Sequence, residues 1–343
     1  MKYEVTIGIP VYKAEAYVEK SMISALSQSY LSIEYLVVDD CGEDGSMEII
    51  QQFQKNHPRG KDIRIIKNNR NLGVSYCRNL IIEKAQGKYL FFLDSDDTIE
   101  PNAIQLLYDS ILQYQAEVVY GSYEIVDYIG NTSEKIYQKD SMVFTKKGEL
   151  AIYAFKNCQV FHVSVCNCLM DLAFIRHLGV KFINTQFWED MAFTYDLVPN
   201  VNKAVLCSDI TYHYYRRNNS LSHYQEREII DKKEIMNNVF VLDYLKKKCK
   251  EYKGKSYLSY LCYNLEMNSF YIVCYVMKRY RSIFPKISPI EMQKIISHPL
   301  EINEILGFRN RLLPNLLFGL LSIMPLPIFM LCMWFLGKLK KAI

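Results

Sequence analysis

The chain has 343 residues, a formal net charge of +4 and ten cysteines, and half of its residues are hydrophobic. A charge this small gives no electrostatic basis for binding nucleic acid. The cysteines form no CxxC pair, and Cys166 and Cys168 lack the partners of a zinc site, so we expect reduced, buried thiols. No GxGxxG or Walker lysine loop follows the first strand, which argues against a dinucleotide oxidoreductase or a P-loop NTPase.

The first 121 residues alternate between short apolar runs and helical patterns. Five runs have the length and composition of buried strands: Val5–Ile9, Tyr35–Val38, Ile63–Ile66, Tyr89–Leu93 and Val118–Tyr120. Alternation of this kind builds βαβ units. The predicted fold class is therefore α/β, with a Rossmann-like, mostly parallel sheet flanked by helices.

Several of these strands end in polar residues. Pro10 and Tyr12 follow the first strand, Asp39 and Asp40 end the second, and an acidic run of residues 94–97 follows the fourth. Open α/β sheets bind ligands beyond the carboxyl ends of their strands. An Asp-x-Asp there suits Mg²⁺ or Mn²⁺ with a phosphorylated substrate, although such a run is also a common solvated turn.

The composition changes beyond about residue 224, where two helices are predicted over 226–253 and 256–281. The predicted inner face of the first helix consists of Ile229, Ile230, Met236, Val239, Phe240 and Leu245. These helices form an all-α extension. The predicted division is a catalytic domain over 1–225, a helical accessory region over 226–308 and a hydrophobic segment over 309–343.

Residues 312–336 carry no charge and are numerous enough to cross a bilayer. Three prolines interrupt the segment, and basic residues flank it on both sides: Arg309, Arg311, Lys338, Lys340 and Lys341. Cationic residues prefer the cytoplasmic side, so basic flanks at both ends favour a re-entrant or interfacial helical hairpin over a single span. The alternative is a buried helix pair that docks on the protein.

An ordered set of short motifs carries a family resemblance over about the first two thirds of the chain. The motifs are Ile9-Pro-Val-Tyr12, Val37-Val-Asp-Asp40, Cys41-Gly-Glu-Asp-Gly-Ser46, Asn71-Leu-Gly73, Arg78-Asn79, Leu93-Asp-Ser-Asp-Asp97, Trp188-Glu-Asp190 and Tyr212-His-Tyr-Tyr-Arg216 with Ser220. The chain resembles the family 2 glycosyltransferases, which are inverting, nucleotide-sugar-dependent enzymes with the GT-A fold. It departs from the family's common Gly-Ser after the Asp pair, where it has Cys41-Gly42; we expect the turn to keep a flexible residue.

The resemblance implies a donor site at the strand ends. Asp40 would accept a hydrogen bond from the nucleotide base, usually uracil, although an aspartate here can also stabilise a turn. Residues from three other motifs would also line the donor site: Pro10, Val11, Tyr12, Arg78 and Ser95. Arg78 has the alternative of pairing with a carboxylate on a helix face.

The resemblance also implies the metal and phosphate ligands. Asp96 would bind Mn²⁺ or Mg²⁺, and Asp94 would approach the ribose or a metal-bound water. His213 is a candidate third ligand, with a packed aromatic as the alternative. Arg216 or its neighbour would clamp the diphosphate.

By the same resemblance, Asp190 is the general base that deprotonates the acceptor hydroxyl, with Glu189 as the alternative base. The alternative is that both acids are present because they open a helix, whose N-terminus favours negative charge. A single in-line displacement needs no enzyme nucleophile, unlike the two-step retaining reaction of glycosidases.

The expected acceptor is a polyprenyl-linked glycan of capsule, exopolysaccharide or O-antigen synthesis, by analogy with the family. A protein or teichoic acid acceptor, and a catalytically silent sugar-nucleotide-binding subunit, remain alternatives. The first strand begins close to Met1 with no cleavable signal before it, so we expect the catalytic domain at the cytoplasmic face of the membrane.

Overall fold

The computed structural model of the protein describes residues 2–127, 132–157, 161, 164–216 and 227–343. These residues form two compact units. The sheet unit contains the described parts of 1–150, 162–184 and 189–220, and the helical unit contains those of 151–161, 185–188 and 221–343. Ser220 of the family motif lies outside the described residues.

Ten strands of the described chain form one sheet in the sheet unit. They are β1 (Tyr3–Val11), β2 (Ile33–Asp39), β3 (Ile63–Lys67), β4 (Gly87–Phe92), β5 (Thr98–Ile99), β6 (Val118–Asp127), β7 (Ser133–Tyr137), β8 (Met142–Phe144), β9 (Cys168–Asp171) and β10 (Ala204–Arg216). All five strands expected from the sequence are present.

The helices before β10 connect these strands. They are α1 (Val18–Leu26), α2 (Ser46–Asn56), α3 (Val74–Lys84), α4 (Ala103–Tyr114), α5 (Glu149–Lys156), α6 (Leu172–Leu178) and α7 (Glu189–Leu197). The apolar faces of α1 and α3 are buried, with Val18, Met22, Cys77 and Ile81 shielded from solvent. The prediction of a sheet flanked by helices is confirmed.

The strand order of the main path is β3-β2-β1-β4-β9-β6-β10-β5. The pairings among β1, β2, β3 and β4 are parallel, as is that of β6 with β10, whereas β9 runs antiparallel to both of its neighbours. Every residue of β2 is buried, as expected for a central parallel strand covered on both faces. Because β1, β2 and β4 are parallel neighbours, their carboxyl ends meet at one edge of the sheet.

Pro10 fits inside the central strand β1 for a specific reason. The backbone groups of alternate residues of β1 face alternate neighbours: Val11 accepts from Asp40 on the β2 side, and Gly8 accepts from Leu93 on the β4 side. Pro10 therefore faces the β4 side, just beyond the last β1–β4 pair, Gly8 with Phe92. Its missing N–H costs no ladder bond there.

The helical unit contains β11 (Ile230–Asp231), α8 (Lys232–Cys249), α9 (Leu258–Lys278), β12 (Ile283–Phe284), α10 (Pro289–Ile295), α11 (Ile302–Ile305), α12 (Leu312–Ile323) and α13 (Leu326–Leu339). The two helices predicted before residue 282 are present as α8 and α9, within the predicted limits. The α8 side chains that are buried include Ile235, Val239, Leu242 and Leu245.

The predicted inner face of α8 was partly wrong. Ile229 and Phe240 are exposed, and Ile235 and Leu242 take inner positions instead. The inner face also carries an ion pair, because Lys246 Nζ lies 2.8 Å from Glu266 Oε1 on α9. Lys246 donates to the carbonyl oxygens of Ile295 and Ser297 as well, so its charge is well compensated despite burial.

The prolines of the C-terminal segment divide it into two helices. The chain leaves α12 at Met324 and Pro325, and Pro327 lies in the first turn of α13, where its missing N–H is tolerated. In the part of the chain that the structure describes, every helix is too short or too polar to cross a bilayer.

Candidate active site

The ends of β1 and β2 meet at the carboxyl edge of the central strands. Val11 of β1 pairs with Asp39 of β2, and the N–H of Asp40 donates to Val11 O at 2.9 Å. Tyr12, the next residue after β1, exposes 46% of its surface. The structure thus places Val11, Tyr12 and Asp40 side by side, with an aromatic ring available to a planar ligand.

The carboxylate of Asp40 is buried and holds the loop that leads into α3. It accepts hydrogen bonds from Asn68 Nδ2 at 2.7 Å and from the N–H groups of Leu72 and Gly73, each at 2.8 Å. A carboxylate offers about four lone-pair directions, so about one remains. The turn-stabilising alternative is therefore real, and contact with a nucleotide base stays a prediction.

In the turn after Asp40, Cys41 rather than Gly42 adopts the left-handed conformation, with φ of +57°. The Cys41 thiol donates to Asn68 O at 2.9 Å. Gly42 does not have a positive φ; a Cβ there would lie 2.6 Å from the backbone nitrogen of Lys13. The glycine is needed for close approach of two backbones.

In the acidic run after β4, Ser95 and Asp97 are buried, whereas Asp94 and Asp96 are partly exposed. Asp97 is buried and accepts hydrogen bonds from Tyr212 Oη at 2.7 Å and from the N–H of Tyr215 at 2.9 Å, both on β10. Burial raises the pKa of Asp97 well above its ordinary value, and the charges of Asp96 and Asp94 add to that rise. Asp94 and Asp96 are half-buried, and Ser95 between them is buried.

Arg78 of α3 joins the acidic run to the start of α7. Its Nη2 donates to Asp94 Oδ1 at 2.9 Å, and its Nη1 donates to Glu189 Oε1 at 2.9 Å and to Asp190 Oδ1 at 2.6 Å. The guanidinium is only 3% exposed, and its Cζ lies 5.5 Å from the centroid of the Phe182 ring. Its Nε has no hydrogen-bond partner among the described residues. We call Arg78, Asp94, Glu189 and Asp190 the Arg78 cluster.

Within the Arg78 cluster, the surroundings of Asp190 raise its pKa toward neutral pH. Burial raises the pKa of Asp190 to about 7; Arg78 opposes this rise, and the charges of Glu189 and Asp94 reinforce it. The second oxygen of Asp190 accepts from the N–H of Val165 at 3.3 Å. A carboxylate with a pKa near the working pH is well suited to general base catalysis. As the alternative anticipated, Glu189 and Asp190 also open helix α7.

His213 and Arg216, both on β10, contact carboxylates outside the Arg78 cluster. The two ring nitrogens of His213 lie 2.9 Å from Glu100 Oε1 and 2.7 Å from Glu124 Oε1. Both nitrogens are thereby occupied, and the arrangement gives no support to His213 as a metal ligand. Arg216 forms an exposed ion pair with Glu134 at 3.0 Å. The described residues contain no grouping of three His, Cys, Asp or Glu side chains suited to a metal.

The partners of His213 could not be predicted from the sequence. Glu100 follows β5 and Glu124 lies in β6, and no local pattern connects them to β10. Together with Lys20 and Tyr215 they border an open cleft of about 460 Å³. No residue of the Arg78 cluster lines this cleft.

Comparisons with known proteins find relatives of this chain. The family model described as glycosyl transferase family 2 matches residues 6–179. An uncharacterized glycosyltransferase of Haemophilus influenzae is 31% identical over 204 residues, which are 60% of this chain and 75% of that protein. The Escherichia coli protein WfgD, named as a UDP-Glc:alpha-D-GlcNAc-diphosphoundecaprenol beta-1,3-glucosyltransferase, is 26% identical over 230 residues, or 66% of this chain and 83% of that protein.

The fold also matches a solved structure. The crystal structure of residues 1–349 of TarS from S. aureus, in complex with UDP-GlcNAc, superposes with a TM-score of 0.66 at 17% identity. The match covers 94% of this chain and 90% of that chain. The GT-A architecture predicted from the sequence is thereby confirmed.

Proposed function

The chain belongs to glycosyl transferase family 2, and from this premise we propose that it transfers a sugar from a UDP-sugar to a glycan hydroxyl with inversion. One observation carries the proposal: Arg78 bonds directly to Asp94 after β4 and to Asp190 at the start of α7. A residue of the donor motif and the candidate base are thus held by one guanidinium. A transferase needs these two functions side by side, because donor and acceptor react with each other.

The donor site consists of the strand ends. Tyr12 offers its ring to the base, and Asp40 keeps one acceptor direction for a ring N–H. Asp94 and Asp96 fit Mn²⁺ or Mg²⁺ because they are half-buried oxygen donors, whereas Asp97 is buried and accepts hydrogen bonds from Tyr212 and Tyr215. Such a cation supplies positive charge that stabilises the departing diphosphate.

The acceptor is activated at Asp190. The acceptor oxygen bonds to the anomeric carbon from the face opposite the diphosphate, and its proton passes to the Asp190 carboxylate. The bond from the anomeric carbon to the diphosphate oxygen breaks, and its electron pair leaves with the nucleotide. Proton transfer of this kind contributes roughly 10²–10⁴-fold to the rate.

We propose a polyprenyl diphosphate-linked glycan at the cytoplasmic face of the membrane as the acceptor. The support is the name of WfgD, which specifies a diphosphoundecaprenol-linked GlcNAc, together with the apolar C-terminal helices of this chain. A protein or teichoic acid acceptor is the competing assignment. An acceptor screen with lipid-linked and soluble glycans separates the two.

The decisive experiment is transfer and UDP release by Asp190→Asn, which is nearly isosteric but cannot accept the proton. We expect a loss of about 10²-fold or more in kcat with the protein still folded. Glu189→Gln tests the alternative base, and Asp109→Asn on the exposed face of α4 is the matched control, expected to have wild-type activity. Equal rates for wild type and Asp190→Asn would remove Asp190 from the mechanism. Absence of transfer with every UDP-sugar and acceptor would favour a silent binding subunit.

A further inference from the structure

Helix α12 turns its polar residue inward. Asn315 is fully buried; its Nδ2 donates to Ser259 O on α9 at 3.0 Å, and its Oδ1 lies 3.1 Å from His298 Nε2. Gly319, one turn later, packs so closely that a Cβ would lie within 2.9 Å of Ile302 and Ile305. The contacts of α12 with the rest of the helical unit therefore use Asn315 and Gly319 together with the buried side chains of Phe318 and Leu321.

The outward side of α12 is apolar. Leu313, Leu317, Leu320 and Ile323 follow helical spacing along one face and are 40–77% exposed. A helix that faces water normally carries polar residues on its outward side.

Helix α13 repeats this arrangement. Phe329, Met333 and Gly337 face inward, and a Cβ on Gly337 would meet Cys274 of α9 at 3.2 Å. Its outward side chains are again large and apolar: Ile328, Leu331, Trp334, Phe335 and Leu339. Because α12 and α13 contact each other, their outward residues form one surface. We call these nine exposed residues of α12 and α13 the outer apolar face.

The charged residues that flank α12 and α13 in the sequence all have one sign. Arg309 and Arg311 precede α12, Lys338 lies in the last turn of α13, and Lys340 and Lys341 follow it. No acidic residue follows Glu304 in the chain. Trp334 lies among these cations, with the Lys338 ammonium 6.0 Å from its ring centroid. Tryptophan beside lysine is typical of the water–lipid interface.

We propose that the outer apolar face lies in the headgroup region of an anionic phospholipid bilayer, with α12 and α13 in the plane of the membrane. Apolar side chains enter the acyl boundary, and the flanking cations bind the anionic headgroups. A second copy of this chain is the weaker candidate because it would bring the same cations together. The assignment does not depend on the transferase chemistry.

The two tryptophans of the chain make the test direct. In the full-length Trp188→Phe variant, Trp334 is the only tryptophan. We expect its emission to shift to the blue, and iodide quenching to fall, on adding vesicles of phosphatidylcholine with about a third phosphatidylglycerol. Pure phosphatidylcholine and high salt should weaken the shift, since screening removes the headgroup attraction. Unchanged emission with anionic vesicles would overturn the proposal.

Co-sedimentation with the same vesicles tests whether residues of the outer apolar face are needed for membrane binding. Leu317→Ser with Leu331→Ser, one change on each helix, should weaken vesicle partitioning at least about tenfold. The matched control is Leu31→Ser with Leu112→Ser, which changes two exposed apolar residues of the sheet unit and should leave partitioning unchanged. The membrane proposal would be refuted if the wild type bound no vesicles and formed a dimer without lipid that the first variant converts to a monomer. The outer apolar face would then be assigned to contact with a second copy of the chain. Activity on a soluble acceptor is measured separately, so loss of anchoring is distinguished from loss of catalysis.

Discussion

Replacing Arg78 with glutamine should move the pH dependence of catalysis upward. Arg78 is the cation that holds the pKa of Asp190 down against burial. Glutamine keeps an amide donor but removes the charge, so Asp190 binds its proton more tightly. The acidic limb of the kcat/KM profile, which reports the ionisation of the free enzyme, then shifts to higher pH.

The size of the effect follows from the pKa of about 7 for Asp190. At pH 7 half of the carboxylate is ionised. A rise of one pKa unit, or about 1.4 kcal/mol, leaves about one eleventh ionised and lowers kcat/KM roughly fivefold. At pH 9 the variant should approach the wild type. The protein should also lose about 3–5 kcal/mol of stability, since removing one partner leaves buried carboxylates uncompensated.

The assay is kcat/KM for the donor from pH 5.5 to 9.5, with unfolding measured in parallel. The matched control is Arg176→Gln, because the Arg176 guanidinium donates to backbone oxygens, those of Ile82, Glu83 and Ala85. Loss of the Arg176 guanidinium should lower the stability of the protein without shifting the acidic limb of the kcat/KM profile. Arg78→Lys, which keeps the charge, should move the limb less than Arg78→Gln. An acidic limb that stays in place, or moves to lower pH, in folded Arg78→Gln would refute the reasoning.

Three further predictions concern the metal, the nucleotide loop and the helical unit. UDP at about a hundredfold excess over its Kd should stabilise the wild type by about 2.7 kcal/mol in the presence of Mn²⁺. In a thermal-shift assay, Asp96→Asn should lose the part of this stabilisation that depends on the metal. If UDP stabilised the wild type and Asp96→Asn equally without metal, a cation site would be contradicted. Asp40→Asn should destabilise the protein by about 1–3 kcal/mol in urea, because one of the two oxygens that accept from Leu72 and Gly73 becomes an NH2 group, which cannot accept; an unchanged midpoint would count against this account. Burial raises the pKa of Glu266 to about 7 from an ordinary value of 4.5, so the folded state binds more protons between these two pH values and stability falls as the pH rises through that window. Glu266→Gln should flatten this dependence in urea titrations at several pH values, and an unaltered slope would exclude Glu266 as its source.

The strands could be predicted because their signal is local. An apolar run such as Tyr89–Leu93 with turn residues at both ends is visible in a few residues, and parallel pairing follows from the alternation with helices. The common edge of the strand ends followed in turn, which brought Tyr12 and Asp40 together as expected.

The partners within the site could not be predicted, because they are distant in the chain. Arg78 binds acids more than a hundred residues later, and the sequence left its partner open. Asp97 looked like part of a single acidic site, yet its bonds to β10 make it structural. The inner face of α8 was misjudged for a related reason: burial of Lys246 depends on a partner on another helix, which helical periodicity does not record.

Pro10 limits how far the β1–β4 ladder can extend. The next pair of residues in that ladder would need a hydrogen bond from the backbone N–H of residue 10, which proline lacks. Extending β4 past Phe92 would therefore forgo that one hydrogen bond, and the segment that carries Asp94 and Asp96 follows β4 as a turn. The absence of a single backbone N–H at Pro10 thus favours ending the β1–β4 ladder where the acidic turn begins.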